Sequence, residues 1–321
     1  MKVRDKKRTV GEAHGKLILV GEHAVVYNKP AIAMPFPLRI RAIVTEQIGE
    51  IRVSSNVYTG NLKDMPDKFM GLAQTIYRSL EICHQPKEGI HIEVESEIPM
   101  GRGLGSSATA ATAIVRGIFA FYQRPLSEEQ LYSLVEIGEN YAHGKPSGID
   151  MMAAANEKPI FYQKTKGASF LASPKPLYIV AADSGEVGDT KTAVEHVKEL
   201  RQQRPDVIDP IIDEIEDIVW KAKEAIISGD SLLLGSLLTR NHENLKKLEV
   251  SNSMLDHLVE AAIRAGALGA KLTGGGMGGC IIALTKDMTY AEKVGKALVK
   301  EGARKVWYFS TDSKEAITVE G

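Results

Sequence analysis

The sequence predicts an α+β protein built from two domains, and three observations lead to that prediction. The chain has 321 residues, about twice the length of an average domain. Both halves mix short apolar runs typical of strands with longer amphipathic runs typical of helices. Such a mixture in each half favours an α+β architecture over one doubly wound sheet. An apolar strand follows Pro176, so we expect the domains to cover residues 1–174 and 175–321.

Charge and composition exclude several classes of protein. The 40 Lys and Arg residues against 41 Asp and Glu residues leave a net charge of −1, which gives no support for binding to nucleic acid or to a membrane surface. No apolar run approaches the roughly 18 residues of a membrane-spanning helix, and no signal-peptide core follows the basic N-terminus. The two cysteines, Cys83 and Cys280, are too few for a zinc knuckle or a disulfide framework. We therefore expect a cytoplasmic protein with reduced thiols.

The individual elements follow from spacing and from the residues that start or stop them. Apolar residues at every second position predict a strand over 90–98, and helical spacing predicts a buried helix from Ser106. Ser127 with Gln130 three residues later is typical of a capped helix start, and Gly266 is typical of a helix end. The other predicted elements are a strand over 177–183, helices over 190–203, 207–228, 231–248 and 254–265, and strands over 280–284 and 306–310.

The strongest chemical signal is the segment Pro99-Met-Gly-Arg-Gly-Leu-Gly-Ser-Ser-Ala108, which lies between a predicted strand and a predicted helix. Three glycines let the backbone approach an anion closely, and the helix N-terminus adds free N–H groups and the positive end of a dipole. We interpret the segment as a phosphate-binding loop, because a tight strand-to-helix turn explains one glycine well and three poorly. Ser106 and Ser107 fit a magnesium or phosphate contact, although both are also common N-cap residues.

Three familiar phosphate-binding patterns do not describe this loop. Residues 103–108 fit the dinucleotide pattern G-x-G-x-x-A, but they lie far into the chain, and no acidic residue ends a second strand ~20 residues later. A Walker A loop is absent near Lys16, because the spacing is one residue short and Leu17 stands where Ser or Thr is required. The HRD and DFG elements of protein kinases are missing as well.

Three further segments carry residues with chemical potential. Glu139 and Asp150 lie 11 residues apart across a Gly/Pro/Ser turn, and they could supply a metal ligand and a proton acceptor. Lys16 could sit near a transferring phosphate as a compact cation, although an isolated strand lysine is more often simply exposed. His23 by itself is more often a structural histidine than a catalyst. A second glycine loop, Thr273–Gly279, is either an anion site or a turn beside a ligand.

Three motifs in this order resemble those of the galactokinase, homoserine kinase, mevalonate kinase and phosphomevalonate kinase (GHMP) superfamily. The motifs are GKLILVGEHAVV from Gly15, PMGRGLGSSATA from Pro99 and KLTGGGMGGC from Lys271. Within the superfamily the chain is most similar to the mevalonate kinases of the bacterial and archaeal type. That similarity rests on His23 within Gly-Glu-His-Ala-Val-Val and on the turn HGKPSGID that ends at Asp150.

The resemblance implies a two-domain GHMP kinase fold, with an N-terminal domain like domain 2 of ribosomal protein S5, a ferredoxin-like C-terminal domain and the active site between them. It implies transfer of the γ-phosphoryl group of ATP to the C5 hydroxyl of (R)-mevalonate, which gives 5-phosphomevalonate and ADP for isoprenoid biosynthesis. One alternative is another GHMP kinase such as a phosphomevalonate kinase, whose phosphorylated substrate should need basic residues that 24–27 does not provide. The other is a non-catalytic metabolite sensor with this fold, which should have lost the base or a metal ligand. A homodimer stays open.

The resemblance also assigns a role to each matching residue. Asp150 would accept the proton, Lys16 would be the cation near Asp150 and the reacting hydroxyl, and Ser107 and Glu139 would hold Mg²⁺. The residues expected at the ATP phosphates are Pro99, Met100, Gly101, Arg102, Gly103, Leu104, Gly105, Ser106, Ser107 and Ala108. The residues expected at mevalonate are Glu22, His23, Ser147 and Asp150. ATP and mevalonate are the expected partners, with no nucleic acid and no membrane.

Overall fold

The structure, a computed structural model, describes residues 7–143 and 147–320 and divides into two compact units. Unit 1 consists of Met1–Gly15, Leu38–Pro99 and Gly105–Ala155, and unit 2 consists of Lys16–Pro37, Met100–Leu104 and Asn156–Gly321. Unit 2 therefore includes two short segments from the first half of the chain. The domain ranges 1–174 and 175–321 stay a prediction. Part of the predicted HGKPSGID turn, Gly144–Pro146, lies outside the described residues, as do the basic residues before position 7.

The described residues form strands and α-helices in the following order. The strands are β1 (Arg8–Val20), β2 (Ala31–Glu50), β3 (Arg52–Ser54), β4 (Thr59–Asn61), β5 (Glu88–Ser96), β6 (Ile160–Gln163), β7 (Gly167–Phe170), β8 (Tyr178–Asp183), β9 (Gly269–Thr273), β10 (Cys280–Thr285), β11 (Lys305–Ser310) and β12 (Ile317–Glu320). The helices are α1 (Met70–Ile82), α2 (Ser106–Phe121), α3 (Glu128–His143), α4 (Ile149–Ala155), α5 (Thr190–Gln203), α6 (Pro205–Ser228), α7 (Ser231–Lys247), α8 (Ser253–Ala265) and α9 (Met288–Lys300). Within the described ranges, no helix is both long enough and apolar enough to cross a membrane.

Unit 1 packs helices α1–α4 with a sheet in which the strand order is β4-β3-β5-β2. On β5, Ile90 and Ile92 are buried while the residues between and after them are partly or fully exposed, as the alternating sequence predicts. Helix α2 comes very close to β1, since a Cβ on Gly11 would lie 2.1 Å from the carbonyl oxygen of Ala113. Only glycine allows that approach, and it fixes the position of α2 within the unit.

Unit 2 is built on an antiparallel sheet with the strand order β12-β11-β8-β10-β9. One face contributes to a core that includes residues of α5–α9. The other face is also covered, because the Phe36 ring meets Trp307 at 5.7 Å and Phe309 at 5.6 Å between ring centroids. This burial on both faces explains why β8 and β10 are apolar at successive positions.

Helix α7 covers the edge of this sheet formed by strand β9. The backbone N–H of Leu272 donates to Nδ1 of His242 at 3.3 Å, so a side chain satisfies a donor on the outer edge of the strand. A Cβ on Gly269 would lie 1.8 Å from the carbonyl oxygen of Gly235. The helix can therefore approach β9 only because both facing residues are glycine. This contact places side chains of α7 beside β9.

Most of the predicted elements are confirmed, and the predicted caps are confirmed in detail. Helix α5 covers the predicted range 190–203. Ser127 and Gln130 form a reciprocal capping box with two hydrogen bonds of 3.1 Å, and Gly266 ends α8 with φ 108°. The strand predicted over 90–98 lies at Glu88–Ser96 instead. Helices α1 and α9 were not among the predicted elements, although the side chain of Asp287 at the start of α9 accepts from the N–H of Tyr290 at 2.8 Å.

Candidate active site

The first motif lies in unit 2, where β1 ends and a tight turn begins. Lys16 lies on this part of β1 with 2% of its surface exposed, and its backbone N–H donates to the carbonyl oxygen of Leu104 at 3.1 Å. The first motif is thereby bound to the glycine loop of the second motif. Gly21 follows the strand with φ 103°, and a Cβ there would lie 2.6 Å from the Cα of Ala31. The turn into Glu22 therefore requires glycine.

The carboxylate of Glu22 is 1% exposed and is held by two side chains from distant parts of the chain. Oε1 accepts a hydrogen bond from Nζ of Lys271, and Oε2 accepts one from Nδ2 of Asn241 at 3.2 Å. Burial raises the pKa of Glu22 and lowers that of Lys271, and the attraction between the two opposite charges opposes both shifts. Lys16 also acts electrostatically on both groups. One buried carboxylate is thus associated with two cations.

His23 occupies a strained turn next to this carboxylate. Its φ of 61° and ψ of −47°, with the N–H of Ala24 donating to the carbonyl of Glu22 at 2.7 Å, define a classic-type γ-turn, which is rare and strained. Nε2 of His23 donates to the carbonyl oxygen of Gly275 at 2.9 Å. Burial lowers the pKa of His23 to about 4, so the ring is neutral near pH 7 with its proton on Nε2. Nδ1 is buried and has no hydrogen-bond partner among the described residues.

The second glycine loop, Thr273–Gly279, packs tightly within unit 2. The hydroxyl of Thr273 accepts from the N–H of Ile18 and donates to its carbonyl, both at 3.0 Å, and so replaces a strand partner for that residue. A Cβ on Gly276, which has φ 81°, would lie 2.1 Å from the carbonyl oxygen of Val250. Of the two interpretations that the sequence left open, a tight turn accounts for these glycines without any ligand.

The first glycine loop packs against the second. Gly103 has φ 74°, and a Cβ there would lie 3.0 Å from the carbonyl oxygen of Thr273 and 3.4 Å from the Cα of Gly274. The backbone N–H of Gly188 donates to the carbonyl of Gly101 at 3.0 Å. The need for glycine at position 103 therefore has a reason besides phosphate binding, because the two loop backbones touch.

The side chain of Arg102 turns into the protein. It is 6% exposed, its Nε lies 3.1 Å from Oδ2 of Asp183, and its Nη2 donates to the carbonyl of Gly185 at 3.2 Å. The other carboxylate oxygen of Asp183 accepts from the N–H of Gly185 at 2.9 Å. This buried ion pair fixes the first glycine loop to the end of β8, and it was not predicted from the sequence.

The start of α2 in unit 1 has the features of an anion site. Gly105, with φ 76°, is the N-cap of the helix and provides no side-chain hydrogen bond to the first turn. The first N–H groups of an α-helix have no intrahelical partner, and they carry the positive end of the helix dipole. Ser107 is exposed in this turn. The geometry is therefore compatible with the phosphate-binding interpretation of Gly105–Ala108.

The two predicted acidic residues also lie in unit 1, on different helices. Glu139 is on α3 and is 4% exposed. Asp150 is half-buried in the first turn of α4, so it is helical and does not end a loop as the sequence suggested. The hydroxyl of Ser147 accepts from the N–H of Ile149 at 3.4 Å. Ser147 thereby supports the start of the helix that carries Asp150.

Each unit thus assembles its own set of predicted residues. Unit 2 brings the first and third motifs together with Met100–Leu104 of the second. Unit 1 holds the remaining predicted residues, which are Pro99, Gly105, Ser106, Ser107, Ala108, Glu139, Ser147 and Asp150. Sequence reasoning missed Lys271, Asn241 and Asp183 as members of the network. Lys271 lies within the third motif, so its charge in an otherwise apolar strand was the available signal.

Comparison with known proteins identifies the family. The model of the GHMP kinases N terminal domain matches residues 69–158, and that of the GHMP kinases C terminal domain matches residues 222–304. The chain belongs to the GHMP kinase family, as the three motifs predict.

The relatives within that family carry a more specific name. A mevalonate kinase of Thermococcus sibiricus is 35% identical over an alignment of 303 positions, which covers 87% of this chain and 90% of that protein. A mevalonate kinase of Pyrococcus furiosus is 34% identical over the same shares of the two chains.

Solved structures show the same fold. The crystal structure of L. major mevalonate kinase in complex with R-mevalonate matches with a TM-score of 0.83 and 27% identity, covering 96% of this chain and 97% of that one. The Methanococcus jannaschii mevalonate kinase matches with a TM-score of 0.79 and 28% identity, covering 94% and 97%. The predicted α+β, two-domain GHMP kinase fold is therefore confirmed.

Proposed function

We propose that this protein is an ATP-dependent kinase that phosphorylates the C5 hydroxyl of (R)-mevalonate, giving 5-phosphomevalonate and ADP. The observation that carries the proposal is the convergence in unit 2 of the first motif, the third motif and residues Met100–Leu104 of the second. Glu22 and His23, the residues that distinguish the first motif, are both bonded to the third motif through Lys271 and Gly275. The similarity over most of the chain to several mevalonate kinases supports the choice of acceptor.

The first glycine loop and the start of α2 serve the nucleotide in this proposal. The helix N-terminus offers uncapped N–H groups to phosphate oxygens, and the backbone of Gly101–Gly105 gives close approach. Arg102 supports the loop through Asp183, since its guanidinium is buried in that pair. In this proposal the loop binds phosphate through backbone groups and the Ser hydroxyls.

Asp150 and Lys16 carry out the chemistry. Asp150 takes the proton of the C5 hydroxyl while the hydroxyl oxygen attacks the γ-phosphorus and ADP leaves. Lys16 offsets the negative charge that develops on the transferring phosphoryl group. In phosphoryl transfer the protein mainly positions the reactants and stabilises charge. A base and a cation, together with the groups that bind the nucleotide, are therefore sufficient. Ser147 acts on Asp150 by supporting the start of α4.

Ser107 and Glu139 are the residues that would hold Mg²⁺ with the nucleotide, and the ion would neutralise phosphate charge. A hydroxyl and a carboxylate are hard oxygen donors of the kind that Mg²⁺ prefers, and magnesium–nucleotide sites use only one or two protein carboxylates. The donor set therefore fits Mg²⁺ bound together with phosphates.

The magnesium assignment is tested by the Mg²⁺ concentration that gives half-maximal activity. Ser107→Ala and Glu139→Gln should each raise it, and their combination should raise it by less than the two separate effects together, because both act on one ion. Glu136→Gln is the matched control, since Glu136 is exposed on the same helix. An unchanged magnesium requirement in both site variants would remove these residues from the metal site.

The acceptor is tested by a coupled assay of ADP release with mevalonate, phosphomevalonate, homoserine and galactose. We expect kcat/KM to be highest for mevalonate. Faster turnover of another alcohol would assign the chain to that GHMP activity. ATP binding without turnover of any alcohol would support a sensor and contradict the proposal.

A further inference from the structure

The lysine that holds Glu22 is a buried charge without a role in the proposed chemistry. Lys271 lies on β9 and is 0% exposed. Its Nζ donates to the Glu22 carboxylate and to the carbonyl of Leu272. Because its Nζ is directed at these two acceptors inside the protein, we take any effect of Lys271 on the reaction to pass through its partners.

Stability alone is a weak reason for such a pair. Removing two charges from water is costly, and replacing a buried ion pair by apolar residues is often neutral or stabilising. Further hydrogen bonds nevertheless support the pair. Nδ2 of Asn241 donates to the second carboxylate oxygen of Glu22 at 3.2 Å. His242, the next residue after Asn241 on α7, accepts from the backbone N–H of Leu272 at 3.3 Å. Helix α7 therefore holds both the carboxylate and the strand that carries the lysine.

The pair also determines the geometry of the turn at His23. Glu22 precedes His23 in the γ-turn, and the His23 ring donates to Gly275, four residues beyond Lys271. One continuous segment of unit 2 thus fixes the turn at two points, by an ion pair and by a ring hydrogen bond. A strained turn persists only where its surroundings hold it. Loss of the lysine would release the carboxylate and one of the two fixed points.

We propose that Lys271 is a positioning residue for the acceptor alcohol, which it serves by holding the Glu22 carboxylate and the Glu22–His23 turn in their binding geometry. This inference rests on the proposed function, in which Glu22 and His23 bind mevalonate. It assigns to β9 a task in acceptor recognition that is separate from the nucleotide loop. The acceptor KM should therefore depend on Lys271, and the ATP KM should not.

Three variants separate positioning from a purely structural role: Lys271→Met, Glu22→Gln and the double variant. Lys271→Met should lower the melting temperature and raise the mevalonate KM by roughly tenfold or more. An effect of this size is expected when one partner of a hydrogen-bonded charge pair is removed. The ATP KM should stay within about twofold in the same measurements. In the double variant both charges are gone, so the melting temperature should recover while the mevalonate KM stays high.

Lys29→Met is the matched control for loss of a lysine charge in unit 2. Lys29 pairs with Asp213 and Glu216 at 2.7 and 2.6 Å with its side chain 28% exposed, and its loss should leave both KM values unchanged. Recovery of both stability and mevalonate KM in the double variant would overturn the proposal, because the pair would then be structural only. Failure of all three site variants to fold would overturn it as well. If the wild-type protein does not turn over mevalonate, the proposed function fails first, and the two failures are distinguished.

Discussion

The two units hold their predicted site residues in different ways. In unit 2, Glu22, His23 and Arg102 are buried, and each is bonded to another functional segment of the same unit. In unit 1, Ser107 and Asp150 lie in the first turns of helices and are exposed or half-buried. A helix forms without those particular side chains, whereas the turns of unit 2 depend on theirs. Substitutions of Ser107 and Asp150 in unit 1 should therefore change chemistry alone, and substitutions of these buried residues in unit 2 should change activity and stability together.

The largest effect on activity should come from Asp150→Asn, which tests the unit 1 side of the comparison. The amide keeps the shape of the carboxylate but cannot accept a proton, so kcat should fall by ~10²–10⁴-fold, the usual contribution of general base catalysis. The melting temperature should stay close to that of the wild type. Near-normal turnover would exclude Asp150 as the base, and a large loss of stability would remove the contrast between the units.

The Arg102–Asp183 pair should show the opposite behaviour. Removing one partner of a buried ion pair typically costs about 3–5 kcal/mol of stability, so Arg102→Met and Asp183→Asn should each lower the free energy of unfolding and raise the ATP KM. The double variant should be no worse than the poorer single variant, because both substitutions break one contact. If Arg102 instead contacted phosphate directly, Asp183→Asn would leave ATP binding intact or tighten it.

Acid should destabilise unit 2 through two buried histidines. Burial lowers the pKa of His23 to about 4, and the same cause outweighs nearby Asp256 and lowers the pKa of His242 to about 4. Between pH 6.5 and about 4 the unfolded chain binds protons that the folded chain does not, so stability falls as the pH falls. A shift from 6.5 to about 4 corresponds to about 3 kcal/mol for each ring at most.

Melting temperatures measured from pH 7.5 down to pH 5 test this effect. His242→Gln should have a shallower pH dependence than the wild type, whatever its stability at pH 7.5. His84→Gln, which changes an exposed histidine, should keep the wild-type slope. Equal slopes in all three proteins would show that the buried ring of His242 does not govern the acid response.

The smallest effect is expected for Gly103→Ala, and comparing it with Gly167→Ala separates loop packing from backbone strain. Gly103 and Gly167 have φ of 74° and 76°, but a Cβ at position 167 has nothing within 4 Å, whereas one at 103 meets Thr273 at 3.0 Å. Alanine at either position costs about 1 kcal/mol in backbone strain. Gly103→Ala should lose more stability than Gly167→Ala and should also raise the ATP KM. Equal stability losses would mean that the loops adjust to the added methyl group.

The sequence by itself determined the elements whose signals are local. The predictions of helix α5 and of the cap at Ser127 are confirmed because N-cap chemistry and apolar spacing act within a few residues. The family was also readable from the sequence, since three ordered motifs carry it. Position along a motif was enough to select Lys16, Glu22 and Asp150 as candidates, but it could not show what surrounds them.

Only the tertiary structure decided how those candidates are held. Lys271 and Glu22 lie 249 positions apart, and His23 and Gly275 lie 252 apart. Contacts between such distant positions leave no periodic pattern in the sequence, and a lysine on a strand by itself suggests an exposed side chain. Gly103 shows the same limit of sequence-based inference. From the sequence its glycine indicates phosphate binding, and only the structure shows that the second glycine loop packs against it. Which partner a buried charge or a bare backbone meets depends on the packing of segments that the chain brings together only when it folds.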